Sequence, residues 1–336
     1  MLETQETDVH IDFETPLYVI HHYYISGTFA FIFNCIVVYL ILNHSGKLDS
    51  YRYYLLAFQI SCIVSDLNIS IFMQPIMLFP IPAGYAYGIG HRTFSLSSHT
   101  IMTIFTLLLS GQIEVLTICS LRKHKAIMNL RPNSNSSDLV YPCIYALCIS
   151  YSCSIAVSIY VSTETREEQL RFLYEYYPSF APKFEALEEF QLYVFNKPMI
   201  VFYIFVFGGT TKTTIVVSIL VLRMLKTLRE VQNQLSSRTL AKHRTALRCL
   251  IMQFLTTPIA FFPPCVLAIV VWWPTQYSQV ISWFAFMCMP SHSIFNSTVV
   301  VLTYPEFRKA LIFWRKPVIF SVKVSSVRGS QNAIVR

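Results

Sequence analysis

Long apolar runs recur about seven times along the chain, each separated from the next by a short cluster of charge. A helix rises about 1.5 Å per residue and a hydrocarbon core is about 30 Å thick, so roughly 20 apolar residues cross it. The runs reach that length near residues 18–42, 53–79, 93–121, 140–161, 199–225, 246–273 and 277–302. The pattern therefore predicts an all-α membrane protein, a seven-transmembrane helix bundle over residues 18–303. Tyrosine and tryptophan pairs gather at the predicted ends, as in Tyr23-Tyr24, Tyr51 to Tyr54, Tyr176-Tyr177 and Trp272-Trp273, where rings sit among lipid headgroups.

Four features punctuate the runs. Gln74-Pro75, Pro258, Pro263-Pro264 and Pro290 fall inside predicted spans, where proline frees a carbonyl and kinks a helix. Residues 162–198 form the largest connection, with a charged segment from Glu164 to Glu175 and a predicted short helix over residues 184–190. It is either a cap over a cavity or a solvated surface loop. Residues 223–248 continue amphipathically from the fifth span into the sixth. After the seventh, Phe307, Leu311 and Trp314 recur at helical spacing with Arg308, Lys309, Arg315 and Lys316 on other faces, which predicts a short interfacial helix over residues 304–316. A cytoplasmic tail over 317–336 follows.

Charge orients the bundle. Of 26 Lys and Arg residues, 20 fall in the connections on one side and five on the other, with Lys212 inside a span. Basic residues are retained in the cytoplasm, so the acidic segment 1–17 lies outside and the carboxyl terminus inside. The formal charge of +8 is accounted for by a cytoplasmic face against anionic lipid and calls for no nucleic acid. Mean hydropathy is +0.49, with 54% hydrophobic residues, which a soluble chain of this length does not show. The first 17 residues lack an apolar run, so the first span is expected to target the chain. Sequons at Asn43, Asn68, Asn135 and Asn296 fall in the cytoplasm or the bilayer and are expected to stay unmodified. All nine cysteines fall within predicted spans as small apolar residues, and no metal-ligand spacing or cofactor motif is visible.

Ionisable groups within lipid cost roughly 2.5–3.5 kcal/mol at mid-span on insertion scales, so each is expected to face other helices. Asp66, Glu114, Lys212 and His292 are such groups, joined by the amides Asn34 and Asn296. Asn34, Asp66 and Asn296 either meet as an intramembrane polar hub or bond to their own backbones. Glu114 is matched to Lys212, the single intramembrane lysine. In the outer halves of the third, fifth, sixth and seventh spans, His99, Met102, Phe202, Tyr203, Phe261, Phe262, Trp283 and Met287 are candidates to line a ligand cavity; the same stripes also serve helix packing. On the inner side, Arg122, Lys123, Lys125, Lys226, Arg229, Lys242, Arg244 and Arg308 either meet an acidic partner surface or act as topology charges.

Three segments carry a resemblance. "KLDSYRYYLLAFQISCIVSDLNISIFMQPIMLFPIPAGYAYG", "RKHKAI" and "PSHSIFNSTVVVLTYPEFRKAL" resemble the nematode serpentine chemoreceptors of class I (Sri), with class H (Srh) as nearest relative, over nearly the whole chain. The most specific pieces are Gln74-Pro75 with Pro80 and Ala83-Gly84-Tyr85, then Pro290-Ser291-His292-Ser293 and the closing Tyr-Pro-x-Phe-Arg, where Phe307 replaces the usual tyrosine. The resemblance implies a chemosensory receptor in the plasma membrane of sensory cilia, taking a small-molecule ligand and a heterotrimeric G protein as partners. Asn34 and Ser65-Asp66-Leu67 also match rhodopsin-like receptors, but the third span ends in Leu-Arg-Lys-His rather than Asp-Arg-Tyr and the sixth lacks Cys-Trp-x-Pro. No lysine stands in the seventh span to form a Schiff base with retinal. The competing class is a seven-span ligand-gated channel or transporter, against which stand the absent inverted repeat and filter-like glycine run. An enzyme is disfavoured, since His21-His22 is an isolated pair without histidine boxes or a Ser/His/Asp arrangement.

Overall fold

The computed structural model describes residues 10–44, 51–131 and 140–314. The acidic residues Glu3, Glu6 and Asp8, the sequon at Asn135 and the tail 317–336 lie outside them, as do the calls on the Trp314 side chain, Arg315 and Lys316.

Seven stretches are long and apolar enough to cross a membrane: α1 (Leu17–His44), α2 (Tyr51–Leu67) extended by a π-helical turn Asn68–Met73, α4 (Ser98–Met128), α5 (Val140–Tyr160), α8 (Lys197–Glu230), α9 (Ser237–Trp272) and the pair α10 (Ser278–Met287) with α11 (Met289–Thr303). Side chains such as Phe29, Ile32, Ile204, Leu222 and Leu255 stand 47–66% exposed around the bundle, the belt that hydrocarbon covers in a membrane. Three of the long helices begin on caps that the sequence carries. Ser97, Asn196 and Ser236 each accept from the backbone N–H three residues on, at 3.2, 2.9 and 3.2 Å.

The second span differs from the sequence expectation. Its helix stops at Met73, not near residue 79, and Gln74 adopts the left-handed region at φ 45°. Pro75 supplies no N–H and disfavours helix at the residue before it, so the chain leaves the helix instead of kinking within it. It enters β1 (Pro75–Met77), which pairs antiparallel with β2 (Ala83–Ala86), and β2 pairs with β3 (Gln191–Leu192). A single turn, α3 (Ile89–Arg92), then leads to α4. Gly88 at this return lies so close to the Phe72 carbonyl that a Cβ there would overlap it.

Residues 162–198 build the rest of a lid. Thr165 caps α6 (Arg166–Tyr176) in a reciprocal box with Glu168. The hydrogen bonds from the Thr165 backbone and hydroxyl hold the Glu168 carboxyl below its usual range. The predicted helix over 184–190 is instead α7 (Ala181–Glu185), because Pro182 starts it. Arg166 donates to the carbonyls of Glu185, Leu187 and Glu188 at 3.3, 2.8 and 3.3 Å. Beneath these polar contacts Ile11, Leu78, Ile81, Leu173, Phe184 and Leu192 form a small core of their own. The connection is therefore a folded cap with its own buried core.

At the opposite end α8 and α9 run on to Glu230 and from Ser237, as the amphipathic pattern predicts. Proline interrupts the seventh span at Pro290, where the helix divides at Cys288. In α9, Pro258, Pro263 and Pro264 lie inside a helix that continues through them. The chain closes with α12 (Pro305–Trp314), whose Phe307 is buried against α1 and α11 while Arg308 and Lys309 are exposed.

Candidate functional site

A cavity of about 200 Å³ opens between α4, α5, α8, α9 and α10–α11 beneath the lid. Pro82, Gly84, Tyr85, Gln191 and Tyr193 form its roof. Met102, Phe105 and Leu109 on α4, Phe202, Tyr203 and Val206 on α8, and Phe261 and Leu267 on α9 form its walls, with Phe286 between them. Ligand pockets commonly enclose roughly 300–1,000 Å³, so this one suits a compact guest.

Of the residues proposed from sequence, Met102, Phe202, Tyr203 and Phe261 line this space. The other four lie elsewhere, for identifiable reasons. His99 is 6% exposed and holds the roof: its Nε2–H donates to the Tyr160 carbonyl at 3.0 Å, leaving Nδ1 to accept from the Tyr193 hydroxyl at 3.3 Å. Burial pushes the Tyr193 phenol well above its ordinary pKa, so it stays a donor. Trp283 Nε1 donates to the Met77 carbonyl at 2.9 Å and so fastens β1 to α10. Met287 packs in the outer core and accepts from His22 Nε2 at 3.0 Å through its carbonyl. Phe262 is 43% exposed on the outer surface of the bundle, one position round α9 from Phe261.

The lid is tied to the bundle at the start of α4. Glu189 Oε1 accepts from the Ser98 N–H at 2.8 Å, a carboxylate at a helix N-terminus, and Ser98 Oγ accepts from Ala86 N–H at 3.0 Å. Gln279 bridges the Asp12 and Met77 carbonyls at 2.7 and 3.3 Å, closing the lid over α10.

The floor of the cavity holds the Glu114 and Lys212 pair. Lys212 Nζ donates to Glu114 Oε1 at 2.5 Å and lies 3.9 Å from the centre of the Tyr151 ring. Gly209, one turn earlier on α8, admits the ring: a Cβ there would stand 2.6 Å from Tyr151 Cε1.

A second polar assembly lies towards the inner half. Asn34 Nδ2 donates to Asp66 Oδ2 at 2.8 Å, and Ser293 Oγ donates to Asp66 Oδ1 at 3.0 Å. Asn34 Oδ1 accepts from Gln59 and, at 2.7 Å, from Ser297, while Gln59 Nε2 also donates to Ser297 Oγ at 2.8 Å. Asn34 and Gln59 are fully buried. Asn296 does not join Asn34 and Asp66; its amide faces Cys62 Sγ at 3.9 Å, because Ser293 and Ser297, on the adjoining stripe of α11, occupy the side facing α1 and α2. His292 Nδ1 pairs with Gln112 Nε2 at 3.4 Å, one layer away from Asp66. Sequence reasoning missed Gln59, Ser293, Ser297 and Gln112. Gln59 stands seven residues before Asp66, two turns along the same face, and Ser293 and Ser297 are spaced i, i+4, so a search by helical face would find all three.

On the inner side the basic residues divide. Lys226, Arg229, Arg244 and Arg308 are exposed. Lys123 is buried, with Nζ over the Tyr51 ring at 5.1 Å and 3.4 Å from His243 Nδ1, so it belongs to the packing of α4 on α2. Arg122 and Lys125 lie over the Tyr54 and Tyr141 rings at 5.6 and 5.0 Å, and Lys242 is partly buried.

No curated protein matches this chain. Among solved structures it is similar to the crystal structure of squid rhodopsin, with 12% identity and a TM-score of 0.48, covering 92% of this chain and 91% of that one. The profile of the family described as "Serpentine type 7TM GPCR chemoreceptor Sri" matches residues 9–311, nearly the whole of the bundle, the lid and α12. With seven membrane-spanning helices in place under that match, the chain belongs to the Sri family of seven-transmembrane chemoreceptors.

Proposed function

We propose that this protein is a chemosensory G-protein-coupled receptor of the plasma membrane, in the cilium of a sensory neuron, that binds a small molecule in the lidded cavity and activates a heterotrimeric G protein at its inner face. The observation that carries the reading is the cavity itself: it is lined almost wholly by hydrocarbon and aromatic side chains, it is covered by a folded lid, and it touches helices that continue to the cytoplasmic end. Phe261, Pro263, Pro264 and Leu267 of α9 line it, so occupancy bears directly on the proline-interrupted part of a helix whose inner end carries Arg244. A guest that packs better against one arrangement of α9 than another shifts the population between them. At the inner face, the exposed cations Lys226, Arg229, Arg244 and Arg308 suit an acidic partner surface.

The test is expression of the full chain in cells with a G-protein reporter and a panel of volatile and water-soluble metabolites. Agonists are expected to emerge, and Met102→Trp, which fills the cavity, is expected to abolish their effect at unchanged surface expression. Agonist-evoked current without a G protein, or agonism indifferent to Met102→Trp, would overturn the proposal.

A further inference from the structure

We propose that the ligand is a neutral, largely hydrocarbon molecule carrying one hydroxyl group, seated hydroxyl-down between Glu114 and Thr213 at the cavity floor. This rests on the reading of the cavity as the ligand site.

Two polar side chains on facing helices lie at that floor with hydrogen-bonding capacity left over. Glu114 is 5% exposed, and while Oε1 accepts a hydrogen bond from Lys212, Oε2 meets no N–H or O–H donor. Thr213, also 5% exposed and next to Lys212 on α8, has an unpartnered Oγ1. Both residues line the cavity. The Cys148 thiol hydrogen-bonds the Glu114 carboxylate, but as a weak donor it leaves that carboxylate able to accept a stronger one. A buried acceptor left unmet is costly, more so when it is charged, and the site is complete only when a donor arrives from the cavity.

The chemistry of the two atoms selects the donor. Glu114 Oε2 can only accept, whereas the Thr213 hydroxyl both donates and accepts. A ligand hydroxyl gives its proton to Oε2 and receives one from Oγ1, so both are satisfied at once. A ketone, ether or ester brings no proton and leaves Oε2 bare. A carboxylate meets the Glu114 charge, and an aliphatic ammonium adds a second cation beside Lys212, which already balances the single carboxylate. The walls above, chiefly Met102, Phe105, Leu109, Phe202, Phe261 and Leu267, favour hydrocarbon over polar groups. Discrimination by such a site is steep, because the wrong guest leaves a built polar group unpaired.

The experiment uses the full chain in lipid nanodiscs and reads apparent affinity from the concentration dependence of thermal stability. The probes are benzyl alcohol and octanol, each against its methyl ether and its parent hydrocarbon, with Met102→Trp separating cavity binding from partition into lipid. The expected result is a preference for alcohol over ether of at least about ten-fold, falling about three- to ten-fold in Thr213→Val. In Glu114→Gln the side-chain amide turns an N–H towards the cavity, which an ether oxygen accepts as well as a hydroxyl does, so most of the preference for alcohol should be lost; a merely structural Glu114 predicts an unchanged preference. If Glu114→Gln fails to fold, the isosteric Thr213→Val carries the test alone. Probes that bind in a Met102→Trp-sensitive way without preferring alcohol, or with a preference unmoved by both variants, overturn the hydroxyl assignment and leave the cavity reading standing. Probes and reporter agonists alike that ignore Met102→Trp sink the cavity reading, and the assignment with it.

Discussion

Replacing Asn34 with alanine removes the side chain that makes the most bonds between the three helices of the inner network. The residue makes three interhelical hydrogen bonds, donating to Asp66 at 2.8 Å and accepting from Ser297 at 2.7 Å and from Gln59. Interhelical hydrogen bonds in membrane proteins average about 0.6 kcal/mol and reach about 1.7, which puts three of them near 2 kcal/mol. Asp66 keeps only its bond from Ser293 and stays buried, and an unmet buried acceptor adds on the order of 1–2 kcal/mol. Asn34→Ala should therefore cost about 2–4 kcal/mol, raising the unfolded fraction roughly 30- to 1,000-fold. Reversible unfolding of the purified chain in mixed micelles, followed by tryptophan fluorescence, measures it. A double-mutant cycle with Ser297→Ala, whose hydroxyl bonds both Asn34 and Gln59, should show a coupling of about 0.5–1.5 kcal/mol. A loss below about 0.5 kcal/mol for Asn34→Ala, together with strict additivity in the cycle, would refute the idea that these bonds hold the helices together.

Other consequences are as direct. Gly88→Ala places a methyl group into the Phe72 carbonyl where the lid returns to the bundle, so surface expression should drop sharply; expression equal to that of the parent would show that the return loop yields freely. Trp283→Phe keeps an aromatic ring smaller than the indole and loses the bond to the Met77 carbonyl, which retains only the longer one from Gln279; a loss of at least about 1 kcal/mol in thermal unfolding is expected. Thr165→Ala removes half of the capping box, and amide exchange in α6 should quicken about five-fold while α4 is unchanged. Because the folded Glu168 carboxyl titrates below its free value, its share of that cap is present above the ordinary carboxylate range and is lost as pH falls through the depressed value. Protection factors of α6, normalised for intrinsic exchange, should fall in that window and be flat in Glu168→Gln.

The seven helices, their order and the long inner extensions were legible because each rests on an apolar run longer than the packing details that perturb it. The matching of Glu114 with Lys212 was legible too, since lipid leaves two isolated opposite charges little else to do. The lid sheet was not. Its strands have three, four and two residues, too few for alternation to register, and the segment Pro75 to Pro82 is as apolar as the helix before it. The prolines there do not give it away either, because Pro258, Pro263 and Pro264 lie as close together inside the continuous α9. Phe261 and Phe262 show a different limit: both are large and apolar, and only the turn of α9 decides that one lines the cavity and the other meets lipid. Ser293 and Ser297, and not the stronger hydrogen-bonding amide of Asn296, meet Asp66 and Asn34, because on this helix the two hydroxyls have the right azimuth.

The prolines of α9 stand far from its cytoplasmic start. From Ser237 to Pro258 the helix is uninterrupted, a rod of roughly 30 Å at about 1.5 Å per residue. Pivoted at its proline end, such a rod turns a swing of about ten degrees into a sweep of roughly 5 Å at Ser237, about one helical pitch. A displacement too small to change the shape of the cavity would thus become, at the far tip, a step large enough to bare or bury a neighbouring side chain. Leverage of this kind needs no strong push at the cavity end, only a long stiff arm.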